Sequence, residues 1–116
     1  MKTRRHHRDD MRDPDYRRSF MSTTNHHRLC SQIRLLRKQR GWTQADLAER
    51  LGTTASVVSR IENPGYFGIS LSMLHRLADA FDIALLVQFV TFARHRRETQ
   101  PDGSPLTVRS YGKPAP

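Results

Sequence analysis

Between Leu29 and Phe81 the apolar residues recur every three or four positions, the spacing of one face of an α-helix. Polar or glycine-containing breaks divide this pattern into four stretches. It therefore predicts four short helices, at Leu29–Arg40, Gln44–Leu51, Ala55–Glu62 and Leu71–Phe81. Their inward-facing residues are Leu29, Ile33 and Leu36; Leu47, Ala48 and Leu51; Val58 and Ile61; and Leu71, Leu74, Leu77, Ala78 and Phe81.

The second and third predicted helices are separated by a very short turn. Thr43 is a suitable N-cap for the second helix, with Asp46 in the capping-box place three residues later. Gly52 stands where a helix ends in a left-handed residue, and Thr54 is a second N-cap candidate. Two helices of about eight residues are marginal alone, so they must pack on the helices before and after them.

The segment Ile83–Phe92 has a different character, because it is rich in β-branched and aromatic residues. Its length and composition predict a β-strand. A lone strand has no backbone partner in a small helical domain. We therefore expect it to pair with the same strand of a second copy across a two-fold axis. The predicted fold is mainly α, with four helices followed by a C-terminal strand.

Charge and composition divide the chain into three parts. We expect a disordered basic arm at residues 1–28, an ordered domain at residues 29–92 and a flexible basic tail at residues 93–116. The chain has 20 Lys and Arg against 11 Asp and Glu, a net charge of +9 that favours a polyanionic partner such as nucleic acid. Most of this excess lies in the two ends, so the charge does not locate a binding surface.

Other features of the sequence bear on the cellular compartment and on possible catalytic or metal sites. Cys30 is the one cysteine, which favours a reducing compartment, and no apolar run is long enough to span a membrane. We expect a cytoplasmic protein without membrane contact. The paired histidines do not have the ligand spacing of a metal site, even together with Cys30. No nucleophile, base and pocket pattern indicates catalysis, so we expect no enzyme activity, metal or cofactor.

The stretch I-R-L-L-R-K-Q-R-G-W-T-Q-A-D-L-A-E-R-L-G-T-T-A-S-V-V-S-R-I-E-N-P resembles the Cro/C1-type helix-turn-helix family, also called the XRE family. The resemblance covers Leu29 to about Phe81. It implies a lambda-repressor-like domain in which the helix Ala55–Glu62 enters the major groove of DNA. The W-T-Q start, the E-N-P loop and the segment after the fourth helix also resemble HipB-type antitoxins, in which a terminal strand pairs between protomers.

The resemblance also implies roles for individual residues. Ala55, Ser56, Ser59 and Arg60 occupy base-facing positions. Gln44, Thr54 and Asn63 occupy phosphate-contacting positions. Arg37 and Glu62 correspond to a structural ion pair between the first and third helices. Because Ala55 and Ser56 offer few hydrogen bonds, we expect Arg60 to carry much of the direct base readout.

The leading hypothesis is a homodimeric, sequence-specific DNA-binding regulator that acts as a repressor on double-stranded DNA. The alternative is the antitoxin of a type II toxin-antitoxin operon, which would bind a HipA-like toxin and regulate its own operon. A protein-interaction module that has lost DNA binding also stays open, and salt-dependent binding to duplex DNA would separate it from the first hypothesis.

Overall fold

The computed structural model describes residues 10–99 and 109–111. This part of the chain contains five α-helices, preceded by a short 3-10 turn at Asp10–Arg12. The helices are α1 (Pro14–Gln39), α2 (Gln44–Leu51), α3 (Ala55–Ile61), α4 (Leu71–Phe81) and α5 (Phe92–Thr99). Among the described helices, none has the length and apolar character required to cross a bilayer.

The core lies between α2, α3, α4 and the C-terminal half of α1. Its buried residues belong to the helical stripes, namely Ile33, Leu36, Leu47, Ala48, Leu51, Val58, Ile61, Leu77 and Phe81. Leu71, which the pattern placed on the inner face of its helix, is instead exposed. Trp42 closes one end of this core by stacking on Phe81, with the ring centroids 5.6 Å apart. The apolar periodicity thus identified the four helices that form the core.

The first helix is longer than predicted, because it begins at Pro14 and not at Leu29. Asp13 is its N-cap and accepts a hydrogen bond from the backbone N–H of Asp15 at 3.0 Å. The prediction of a disordered arm is therefore wrong for residues 14–28. Residues 1–9 of that arm lie outside the described residues.

A contact with the C-terminal helix explains why this polar half of α1 is ordered. The guanidinium of Arg17 lies over the ring of Phe92, 5.4 Å from its centroid. His95 Nε2 is 2.8 Å from Asn25 Oδ1. These partners belong to α5, about 70 residues later in the chain. The sequence around residues 14–28 therefore could not predict them.

The prediction of a C-terminal strand is wrong. Residues 83–91 form no strand or helix, and Phe92 instead begins α5. Thr91 Oγ1 accepts a hydrogen bond from Arg94 N, and Arg94 pairs with Glu98 one turn later. These local interactions favour a helix, whereas a strand needs a backbone partner that the described part of the chain does not supply.

The same finding corrects the predicted tail. Residues 93–99 are helical, so this part of the chain is not a flexible tail. Ser110 Oγ donates to Phe81 O at 2.8 Å, and Tyr111 N donates to Asp82 O at 2.9 Å. Residues 109–111 therefore lie against the end of α4. The rest of the predicted tail, at residues 100–108 and 112–116, lies outside the described residues.

A buried ion pair joins α1 to the end of α3. Arg37 Nε donates to Glu62 Oε2 at 2.6 Å, and Arg37 Nη2 donates to Glu62 Oε1 at 3.0 Å. A third donor, Arg37 Nη1, reaches Trp42 O at 2.9 Å. Both charged side chains are almost fully buried, and hydrogen bonding to Glu62 raises the pKa of Arg37. The pair therefore fixes the position of α3 on α1.

Removal of one partner leaves the other as an uncompensated buried charge. We expect Glu62→Ala to lower the free energy of unfolding by about 3 kcal/mol, since Arg37 would be left without a counter-charge. The measurement is urea unfolding followed by circular dichroism. The matched control is Asp15→Ala, which removes the exposed ion pair with Arg18 and should cost less than about 1 kcal/mol. Equal losses in the two variants would contradict the proposed importance of burial.

Candidate nucleic-acid interface

A capping box sets the start of α2. Thr43 Oγ1 accepts from Asp46 N at 3.0 Å, and Asp46 Oδ2 accepts in return from Thr43 N at 2.9 Å. The bond from the Thr43 backbone holds the pKa of the Asp46 carboxyl below its ordinary value. Because both ends of the box are satisfied, the first turn of α2 and its first residue, Gln44, have a fixed position.

The turn between α2 and α3 is held by backbone geometry. Gly52 adopts a left-handed conformation with φ of 70°, which a glycine reaches without a Cβ penalty. The N–H of Thr53 then donates to Ala48 O at 2.9 Å. Thr54 caps α3, with its hydroxyl accepting from Val57 N at 3.3 Å. The chain therefore passes from α2 to α3 within three residues, and α3 packs on α2.

One face of α3 is anchored and the other is free. Val58 and Ile61 are buried in the core. The four residues that the family resemblance places in base-facing positions all lie on exposed sites of α3, namely Ala55, Ser56, Ser59 and Arg60. Three of them have small side chains, so the backbone of α3 can approach a partner closely.

Arg60 is the one charged residue on this face. It is exposed, and its side chain forms no hydrogen bond or ion pair with any described residue. A guanidinium with its donors free can form two parallel hydrogen bonds to the major-groove edge of guanine. The arrangement therefore offers a surface that fits a DNA groove and provides donors for reading it.

Each of the three predicted phosphate-contacting residues forms a side-chain hydrogen bond near an end of α3. Thr54 precedes α3 and Asn63 follows its C-cap, and both are exposed. Asn63 Oδ1 accepts from Gly65 N at 2.9 Å, which leaves its amide nitrogen available. Gln44 Nε2 donates to Glu62 Oε1 at 3.2 Å. Gln44 is thus connected to the buried ion pair, and through it to α1.

Sequence reasoning missed a second set of contacts behind α3. The ring centroids of His26 and Phe67 are 4.0 Å apart. The Cys30 thiol donates to Asn63 O at 3.4 Å. Burial raises the pKa of that thiol. Both residues extend the inward stripe of α1, since His26, Cys30, Ile33 and Arg37 lie at i, i+4, i+7 and i+11. This spacing could have predicted that His26 and Cys30 face the domain. Histidine is polar, so His26 was not counted as part of the stripe.

Residues 33–87 match a family model described as helix-turn-helix. The match spans α2, the turn and α3, whose geometry is described above. This part of the chain is similar to helix-turn-helix domains of the Cro/C1 type. The domain contains the turn, the exposed face of α3 and the ion pair with α1.

Two curated relatives are similar to this domain. The competence pilus inhibition repressor of Acinetobacter baylyi is 43% identical over 53 residues, which cover 46% of this chain and 47% of the relative. The antitoxin HipB of Escherichia coli is 36% identical over 45 residues, which cover 39% of this chain and 51% of the antitoxin. The aligned segment therefore spans about half the length of these relatives. No solved structure matches the chain significantly.

The capping box predicts a pH dependence. The pKa of Asp46 lies lower in the folded chain than the unfolded value of about 3.9. Its contribution to stability is therefore present above about pH 4 and is lost as the pH falls through the folded-state pKa. Asp46→Asn should thus show a smaller fall in the urea midpoint between about pH 5 and about pH 3 than the parent chain.

The matched control for this measurement is Glu49→Gln on the same helix. Glu49 is exposed, and its side chain forms no hydrogen bond with a described residue. This variant should keep the pH dependence of the parent. If Asp46→Asn and Glu49→Gln behave alike, the capping box is not the source of the effect.

Proposed function

We propose that the protein is a homodimeric, sequence-specific DNA-binding transcriptional regulator that acts as a repressor. The observation that carries this proposal is the exposed polar face of α3, with a free Arg60, on a helix whose other face is fixed in the core. The helix-turn-helix match and the similarity to a repressor of Acinetobacter baylyi support it.

Each candidate residue on and around α3 then makes one kind of contact with DNA. Arg60 donates to a guanine, and the Ala55 methyl group lies against a thymine methyl group. Ser56 and Ser59 make shorter polar contacts with base edges. Gln44, Thr54 and Asn63 contact backbone phosphates around the two ends of α3, and these contacts set the register of the helix in the groove.

A second copy of the chain is part of the proposal. The seven residues of α3 present four candidate side chains, which read only a few base pairs. Two copies related by a two-fold axis read two half-sites about one helical turn, or roughly 34 Å, apart. Such doubling supplies the specificity that one short helix lacks.

The second candidate function is that of an antitoxin, which the similarity to the antitoxin HipB favours. In this case the protein binds a HipA-like toxin and also represses their shared operon. Expression of the adjacent open reading frame with and without this chain tests the idea. Rescue of growth by this chain supports the antitoxin role, and the absence of any toxic neighbour removes it.

Selection of bound sites from random duplex DNA tests the leading proposal directly. We expect enrichment of a near-palindromic site with half-sites about one helical turn apart, because each protomer presents one α3. Symmetry and spacing in the selected sites then report the dimer as well as the binding. Recovery of unselected sequences, or of a single half-site without a mate, would contradict sequence-specific binding by a homodimer.

Arg60 is the residue whose loss should change specificity. We expect Arg60→Ala to weaken binding to the selected site by about 1–3 kcal/mol and to relax the preference at one base pair in each half-site. Fluorescence anisotropy with a set of singly substituted duplexes measures both effects. Arg34→Ala removes an exposed arginine from α1 and is the control. Our assignment fails if Arg60→Ala keeps the preference of the parent at every position.

A further inference from the structure

The N-terminal half of α1 extends beyond the helix-turn-helix domain. All four buried residues of α1 lie between Cys30 and Arg37. The preceding residues, 14–28, form about 22 Å of helix at 1.5 Å per residue. Their partner is α5, through the contacts of Arg17 with Phe92 and of Asn25 with His95. We call residues 14–28 and α5 together the basic helix pair.

The basic helix pair carries more positive charge than its own contacts use. It contains six arginines against two carboxylates. Both carboxylates are already paired, Asp15 with Arg18 and Glu98 with Arg94. Arg28, Arg96 and Arg97 form no ion pair with any described residue, and the last two are exposed.

The helix pair joins the domain beside the end of α3. The ring of His26 packs at a tilt against that of Phe67, in the loop that follows α3. Cys30 donates to the carbonyl of Asn63, the residue after the C-cap of α3. A DNA strand that contacts Asn63 would therefore pass close to the point where the basic helix pair leaves the domain.

From this placement we infer that the basic helix pair is a second contact with the DNA backbone, outside the helix-turn-helix domain. The inference rests on the proposed DNA-binding function. Free guanidinium groups bind phosphate oxygens without reading sequence. A helix of about 22 Å spans roughly six phosphate steps of one strand when the distance is measured along the duplex axis. The contact adds affinity equally to operator and non-operator DNA, and it leaves base discrimination to α3.

The test compares two variants that each lose two positive charges from the full chain. Arg96→Gln/Arg97→Gln removes free arginines from the helix pair. Arg109→Gln/Lys113→Gln removes two basic residues from the C-terminal segment, outside both helices of the pair. The affinity of each variant is measured for the selected operator duplex and for a scrambled duplex of equal length, at a series of salt concentrations. Thermal unfolding by circular dichroism verifies that both variants keep the parent's folded state.

Arg96→Gln/Arg97→Gln should reduce the slope of log affinity against log salt by about two and weaken binding to both duplexes about tenfold or more near 0.1 M salt. The control should keep the slope of the parent. If both variants lose the same slope, or if neither loses any, the inference is overturned. If the parent itself shows no salt-dependent binding to duplex DNA, the proposed function fails, and this inference fails with it.

Discussion

The buried pair of Arg37 and Glu62 is the interaction on which the candidate interface depends. It connects α1 to the residue that ends α3, and Glu62 also accepts from Gln44 at the start of α2. Three helices are thus oriented by one carboxylate. A charge pair of this kind is expensive to desolvate, and every polar atom of the Glu62 carboxylate therefore has a partner. Hydrogen bonds of the ion pair depend on direction, whereas apolar contacts do not. The pair therefore holds α3 in one orientation relative to α1 and α2.

The helices of the core could be predicted from the sequence because their stripes are apolar and the residues at their ends have clear capping chemistry. Leu47 and Val58 are buried for the reason that their spacing indicated. The ends of the ordered region could not be predicted in the same way. Residues 14–28 have no apolar stripe, and they are held by contacts with α5, which is distant in sequence. Local composition does not contain information of this kind.

The segment after α4 shows the limit of residue preferences. β-branched and aromatic residues favour a strand only where a neighbouring strand supplies backbone partners. Within the described part of the chain none does, and a cap and an i, i+4 ion pair begin a helix at Phe92 instead. For the interface, the exposed positions on α3 followed from the pattern, while the roles of Gln44 and Asn63 came from family resemblance. The packing of His26 near the end of α3 was missed, because a polar residue at the spacing of the α1 stripe did not indicate burial.

The separation of contacting residues along the chain has a consequence for folding. The bond between Arg37 and Glu62 closes a segment of 25 residues, whereas that between Asn25 and His95 closes one of 70. Loop-closure entropy grows with the logarithm of this length, and contacts between distant residues form slowly. The helix-turn-helix domain can therefore assemble before α5 packs on α1. We expect α5 to be a late-forming unit that also opens most readily, so amide hydrogens would exchange faster there than in α3.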